Sequence, residues 1–305
     1  MSKASMRRRW QQIDGVLLLD KPRGLSSNDA LQKARRIFQA AKAGHTGTLD
    51  PLATGLLPVL FGEATKFSNL LLDSDKTYEA TLQLGVTTTT GDAEGEVLDT
   101  LPVTADEAAI RAACARFIGS ISQVPPMYSA LKHEGRPLYE YARQGIHIER
   151  PAREITIHSL EVRRIDGSCI DIVVHCSKGT YIRTLAEDIG AALGCGAHLT
   201  ALRRTQSGGL DVADAHTLED LLAMEEGARC NVLRSVDSLL AHLPRIDLEP
   251  ALAVRFGHGQ ALRAPIDARG SVRVYGDRFI GTGVIDEGGA LRPQRLVSQV
   301  NAEAD

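Results

Sequence analysis

The sequence lacks a paired-cysteine motif, any apolar run long enough to cross a bilayer, and all but a few aromatic residues. Cys114, Cys169, Cys176, Cys195 and Cys230 are odd in number and widely spaced, which excludes a disulfide framework and a CxxC zinc pattern. Cys169 and Cys176 read as two core thiols on one strand face. A reduced, cytoplasmic chain is the plain reading. Arg7, Arg8 and Arg9 look like the start of a signal peptide, but the apolar stretch Val16 to Leu19 is too short and stops at Asp20. No segment approaches the roughly 20 apolar residues a membrane helix needs. Also missing are the GxxxxGK[ST] phosphate loop, HExxH, the GxSxG elbow and the His-x-Glu with paired cysteines of zinc deaminases. Metal-independent carboxylate chemistry is what remains for an enzyme.

Hydrophobic residues make up 43% of the 305-residue chain, enough to bury one large core or two smaller ones. A net charge of -3 does not suggest a nucleic-acid binder. Its distribution says more. Residues 1–48 hold ten basic side chains (Lys3, Arg7, Arg8, Arg9, Lys21, Arg23, Lys33, Arg35, Arg36 and Lys42) against Asp14, Asp20 and Asp29. Residues 211–250 hold nine acids against three arginines. One basic face on an acidic protein suits a phosphate-bearing partner, although a solvated helix face gives the same count.

The patterning predicts an α+β protein. Ile13 to Leu19 reads as a strand, and Ser27 or Asn28 caps a helix with Leu31, Ala34, Ile37, Phe38 and Ala41 on its apolar face. Tyr78 to Leu84 alternates as a strand, and a capping box at Thr104 to Glu107 opens a helix ending near Gly119. Residues 120–150 read as a long loop or a loosely helical insertion. Two strands meet at Asp166-Gly167, and a helix runs from about Arg183 to Leu193. Further helices fall near 217–226 and 235–242. After Pro244 the texture turns to short strands and glycines. The expected organisation is one domain over 10–243 and a small β domain over 247–305.

The densest polar cluster is Gly44-His45-Thr46-Gly47-Thr48-Leu49-Asp50-Pro51. Asp50 in such a constrained loop is a catalytic candidate or a turn residue accepting backbone hydrogen bonds. His45 is open between a base, a stacking surface and a structural role.

Many ordered motifs together resemble the bacterial tRNA pseudouridine-55 synthase family over nearly the whole chain. They include Lys21-Pro22-x-Gly24-x-Ser26-Ser27, GHTGTLDP at 44–51, Lys76-x-Tyr78, PPMYSALKHEG at 125–135, LYEYARQG at 138–145 and HCSKGTYIRTLAEDIG at 175–190. The resemblance implies the pseudouridine synthase fold, with a central mixed, mainly antiparallel sheet flanked by helices and loops. It implies isomerisation of the T-loop uridine at tRNA position 55 by base flipping, with no cofactor and no metal. Asp50 takes the family's catalytic role as an ionised carboxylate, and Arg183 is its ion-pair partner, the neighbouring cation that keeps its pKa low. Tyr78 stacks on the uracil, Tyr181 and Leu202 line the pocket, and His45 occupies or supports the vacated stacking position. Lys21 buttresses Tyr78 or contacts RNA. The 120–150 insertion grips the T stem-loop through Lys132, Arg136 and Arg143, and the end domain resembles a PUA fold. A monomer without an obligatory protein partner or membrane is expected.

Two positions depart from the family pattern: Thr48 stands where alanine is frequent, and Thr89 where an aspartate is common. The rival readings are a non-catalytic tRNA-folding chaperone, a pseudouridine synthase for another RNA and, more remotely, a metal hydrolase.

Overall fold

The structure is a computed structural model that describes residues 10–266 and 268–298. Lys3 and Arg7 to Arg9, four of the basic residues counted above, lie outside the described residues, as does the 299–305 end of the small β domain.

Strand patterning organises the chain. The main path through the large sheet runs Gly15–Lys21, Thr54–Phe61, Ala197–Ser207, Lys76–Leu84, Cys169–Cys176, Arg153–Asp166, Gly119–Gln123. Neighbours on it pair antiparallel except at Arg203–Arg204, which runs parallel to Thr54–Gly55. The α+β architecture with a mixed, mainly antiparallel sheet is therefore as the sequence implied. In the central Lys76–Leu84 strand, residues 78, 80, 82 and 84 are buried on one face while the alternate positions are more open. Two helices, Ser27–Ile37 and Ile182–Ala192, supply partners for the main core through Leu31, Ala34, Leu185 and Ile189. Each buried leucine of this kind contributes about 1.5–3 kcal/mol.

Local details differ from the sequence reading for identifiable reasons. Ser26 caps the first helix, accepting from the Asp29 amide at 3.1 Å. Ser27 instead turns inward. The helix after Thr104 starts at Glu107 with Asp106 as its cap, because Asp106 Oδ1 reaches the Ala109 amide at 2.8 Å. Cys169 and Cys176 lie on opposite strand faces, since an odd spacing alternates; Cys176 is buried, and Cys169 donates to Gln83 Oε1 at 3.1 Å. All five cysteines are unpaired thiols.

The 120–150 segment is more ordered than a loop. Gly119–Gln123 is the edge strand, Lys132–His133 and Arg136–Pro137 form a small ribbon, and Leu138–Ala142 is a helical turn. Near the end of the large unit, Thr217 and Asp220 form a capping box for Leu218–Ala223, and Val236–Leu240 is only a 3₁₀ turn.

From Arg245 to Leu296 a second sheet of five strands surrounds its own core. It contains a helix, Pro250–Gly257, that the glycine-rich texture conceals; Phe256 of this helix is fully buried. This unit rests on the 62–72 segment, where Lys66 Nζ donates to the Leu296 carbonyl at 3.1 Å and the Phe67 and Phe279 rings lie 5.7 Å apart.

Candidate active site

The loop carrying Asp50 is pinned from several directions. Ala43–His45 anneals to the Thr54–Phe61 strand, with His45 opposite Val59. Ser27 brackets Leu49, accepting from its amide at 2.7 Å and donating to its carbonyl at 2.9 Å. The Gly24 amide donates to the Pro51 carbonyl at 2.8 Å. Gly47 has φ +72°, a conformation that favours glycine, and a Cβ there would crowd Arg204 Nη1 at 3.0 Å. Arg204 itself is 1% exposed and donates through Nη2 to the Gly47 carbonyl at 2.9 Å and through Nε to Leu56 at 2.7 Å. Asp50 is thereby held at the end of a braced turn.

Arg183, at the start of the Ile182–Ala192 helix, meets it. The guanidinium Nη2 is 3.0 Å from Asp50 Oδ2, and Nε is 3.6 Å from Asp92 Oδ2. Nη1 donates to the Thr90 carbonyl at 2.9 Å, and Nη2 also donates to Tyr128 at 2.5 Å. Arg183 is 5% exposed, so it is no surface arginine at a helix start. Asp92 is fixed in turn by the Thr90 hydroxyl at 2.6 Å and the Glu94 amide at 3.0 Å. Such a buried guanidinium requires this many acceptors because desolvation of an ion is costly.

Burial raises the Asp50 carboxyl above the ordinary aspartate value; Arg183 opposes the rise, and Asp92 adds to it by repulsion. The sequence expectation that a neighbouring cation would hold Asp50 low is corrected here. One guanidinium shared between two carboxylates does not offset the burial of the loop. The Asp50 side chain is still 41% open to solvent.

Asp50 and Arg183 border a cavity of about 320 Å³ that Tyr78, Tyr181, Leu202, Lys76, Ser129 and Arg204 also line. A larger cavity, about 440 Å³ between Lys33, Arg36, Leu222 and Glu226, holds none of this constellation. The smaller is the chemically furnished one. Arg204 pairs with Tyr78 across neighbouring strands. Burial raises the Tyr78 phenol, and Arg204 pulls it back. Tyr181 is held through its backbone by Gln123, whose Oε1 accepts from the Tyr181 amide at 2.8 Å. Burial raises its phenol too.

The other expected residues sit around this cavity and not on its wall. His45 is absent from the lining; burial and Arg204 lower its imidazole, and its Nδ1 has no partner among the described residues. Lys21 is fully buried, donating to the carbonyls of Pro22 at 3.0 Å and Leu25 at 2.6 Å. Burial pushes it down to about 8 against the pull of Asp50. It braces the turn whose Gly24 amide holds Pro51, and its ammonium is turned away from solvent. Lys132 and Arg143 are exposed, whereas Arg136 is engaged by Glu140 at 2.8 Å.

Two cavity residues carry no role in the sequence reading. Lys76 is buried, donates to the carbonyls of Leu71 and Leu72 at 3.1 and 3.0 Å, and is pushed down by burial to about 8. Its signal is its even spacing from Tyr78 on the apolar face. Arg204 is one strand position from Arg203, and only the three-dimensional pairing separates the buried arginine from the one that meets Asp20 at 2.7 Å.

Residues 35–182 match the model of the TruB family pseudouridylate synthase N-terminal domain. Residues 183–241 match the tRNA pseudouridylate synthase B C-terminal domain, and 244–297 the pseudouridine synthase II TruB C-terminal region. The chain is 58% identical over 301 residues to tRNA pseudouridine synthase B of Aromatoleum aromaticum, covering 98% of each. It is 60% identical over 294 residues to the protein of the same name from Burkholderia mallei, covering 93% of this chain and 97% of that one. A Cbf5-Nop10-Gar1 complex contains a chain that superposes with a TM-score of 0.71 at 27% identity, over 95% of this chain and 86% of that one. An H/ACA RNP bound to a substrate RNA containing 2'-deoxyuridine gives 0.70 at 26% identity, over 93% and 85%. The fold is thus that of a pseudouridylate synthase. The chain belongs to the TruB family and is an enzyme that isomerises uridine to pseudouridine in tRNA. No helix among the described residues is long and apolar enough to cross a membrane.

Proposed function

We propose that the uridine is that of position 55 in the tRNA T loop and that Asp50 is the catalytic carboxylate. The observation that carries the second claim is the 3.0 Å contact of Asp50 with a buried Arg183 at the edge of a cavity walled by Tyr78, Tyr181 and Leu202.

The reaction breaks N1–C1′, turns the uracil while it stays bound, and joins C5 to C1′; N1 gains a proton and C5 loses one. No electrons are exchanged with another molecule. Whether the aspartate attacks C1′, attacks C6 or takes the 2′-proton, it starts ionised. Arg183 orients it and stabilises its charge. A base inside a stacked loop is out of reach of any protein carboxylate, so the uridine flips into the cavity. Tyr78 gives the ring an aromatic face, which tolerates rotation better than a fixed set of hydrogen bonds. The Tyr78 hydroxyl then helps remove the C5 proton, and Leu202 closes the apolar side. His45, outside the cavity, supports the stack that the base leaves.

Lys132 and Arg143 meet phosphates of the T stem-loop, while Arg136 serves chiefly its own ribbon. The 10–243 region acts as the catalytic domain and the 247–305 region as a small RNA-binding domain. Five unpaired cysteines support a cytoplasmic location.

The substrate assignment is tested by treating unmodified tRNA with the protein and mapping pseudouridine by position. Product at the T-loop uridine is expected. Product at another position only would overturn the assignment while leaving the Asp50 chemistry in place.

A further inference from the structure

A second cluster lies on the open face of the large sheet and takes no part in the chemistry above. Asp75, His158 and His175 each present one ligand atom, and these atoms all lie within 4.8 Å of one another. Three strands bring them together. His175 is opposite Thr77 on one side and Ser159 on the other. The register slips between Ile157 and Ser159, so His158 is an extra residue beside His175. Bulges of this kind re-aim side chains. Asp75 immediately precedes the Lys76–Leu84 strand.

We propose that Asp75, His158 and His175 form a site for a divalent transition-metal ion of the zinc class. His158 Nε2 and Asp75 Oδ2 are 3.1 Å apart. Two ligands at roughly 2.0–2.1 Å on a tetrahedral ion are separated by roughly 3.3 Å, so this pair is already at ligand spacing. The two imidazole rings have centroids 4.8 Å apart and are tilted by 40°. The remaining ligand atoms, within 4.8 Å of one another, need side-chain rotation to reach that spacing, which the solvent-facing Asp75 and His158 have room for. Two imidazoles with one carboxylate suit zinc, nickel or copper and disfavour magnesium, which takes oxygen ligands. With the Asp75 and His158 side chains 49% and 37% exposed, the fourth position opens to solvent. The metal-free alternative is a His158–Asp75 ion pair with the His175 ring packed against His158, and metal titration separates the two.

Occupancy ties together the strand ends that furnish the catalytic cavity. Asp75 adjoins Lys76, and His175 leads through Cys176 and Ser177 into the turn bearing Tyr181 and Arg183. The ion is a clamp outside the reaction centre.

The test uses the full chain without a polyhistidine tag. Zn²⁺ is titrated calorimetrically and Co²⁺ by visible absorption, for the wild type and for His158→Ala, His175→Ala and Asp75→Ala. One site per chain is expected, with Co²⁺ d–d bands and a melting temperature that rises on adding Zn²⁺. Each variant is expected to weaken that site at least about tenfold, as ligand loss outweighs the 10–100-fold effects of outer-shell changes. The variants lie on the sheet surface and are checked for folding by melting without metal. Zn²⁺ binding that is absent from the wild type, or unchanged in His158→Ala and His175→Ala, overturns the proposal. If one variant fails to fold, the other two and the Co²⁺ spectrum decide.

Discussion

Arg204 stands opposite Tyr78 across neighbouring strands, and its guanidinium reaches back to the carbonyls of Gly47 and Leu56. One buried arginine thus positions both the aromatic floor of the cavity and the loop that delivers Asp50. Arg204→Ala removes both bonds and leaves their acceptors without this donor. A loss of about 1.5–3 kcal/mol per charge-assisted bond is expected at most, with partial relaxation reducing the sum. Urea unfolding measures it. Turnover should fall further than the folded fraction does, and Arg204→Lys, which keeps charge without the fork, should rescue stability more than turnover.

Asp50 titration sets an acid limb. Its carboxyl lies above the ordinary aspartate value because of burial. The reaction needs it ionised, so single-turnover rates should fall as pH drops through that raised value, earlier than for an ordinary aspartate. Asp92 pushes Asp50 upward, so Asp92→Asn should move the limb to lower pH even as it slows the plateau rate. A limb that stays put in Asp92→Asn speaks against the shared guanidinium.

The same shift ties stability to pH with a definite sign. A carboxyl raised in the folded state binds its proton more tightly there than in the unfolded chain. Its stabilising contribution is present below the unfolded value and lost as pH rises through the folded one. At neutral pH the ionised Asp50 therefore costs stability. Asp50→Asn should melt no lower than wild type at pH 7, since Arg183 keeps Asp92, Thr90 and Tyr128. A clearly lower melting temperature would show that the loop depends on the ion pair.

Exposed cations of the 132–143 ribbon should act on binding. Lys132→Ala and Arg143→Ala are each expected to raise KM with little effect on the single-turnover plateau. Each should shrink the slope of log K against log salt by about 0.7–0.9 for every phosphate it leaves without a cation. Arg136→Ala should do less, its guanidinium being held by Glu140 and lying 4.9 Å over the Tyr141 ring.

Much of the fold and site is legible in the sequence because alternation and motif order survive without coordinates. The Tyr78 strand, the Asp166-Gly167 hairpin and the Arg183 helix follow directly from period and turn chemistry. What stays hidden depends on long-range pairing. Ser27 reads as a helix cap in one dimension, yet the Leu49 backbone claims it. Lys21 reads as a buttress for Tyr78 or an RNA contact, yet its buried ammonium is held by carbonyls of its own turn. Arg203 and Arg204 are indistinguishable in one dimension and opposite in burial role once the sheet forms. The direction of the Asp50 shift is misread from sequence because proximity to Arg183 is visible in a motif. Burial and the claim of Asp92 on the same guanidinium are not.

The central claim concerns Asp50, and the most direct measurement is pseudouridine formation on unmodified tRNA by wild type and Asp50→Asn at equal, saturating protein. The wild type should convert the target uridine, and the variant should bind the tRNA with comparable affinity while losing at least about a thousandfold in rate. Conversion by Asp50→Asn within about tenfold of wild type would contradict a catalytic role for this carboxylate.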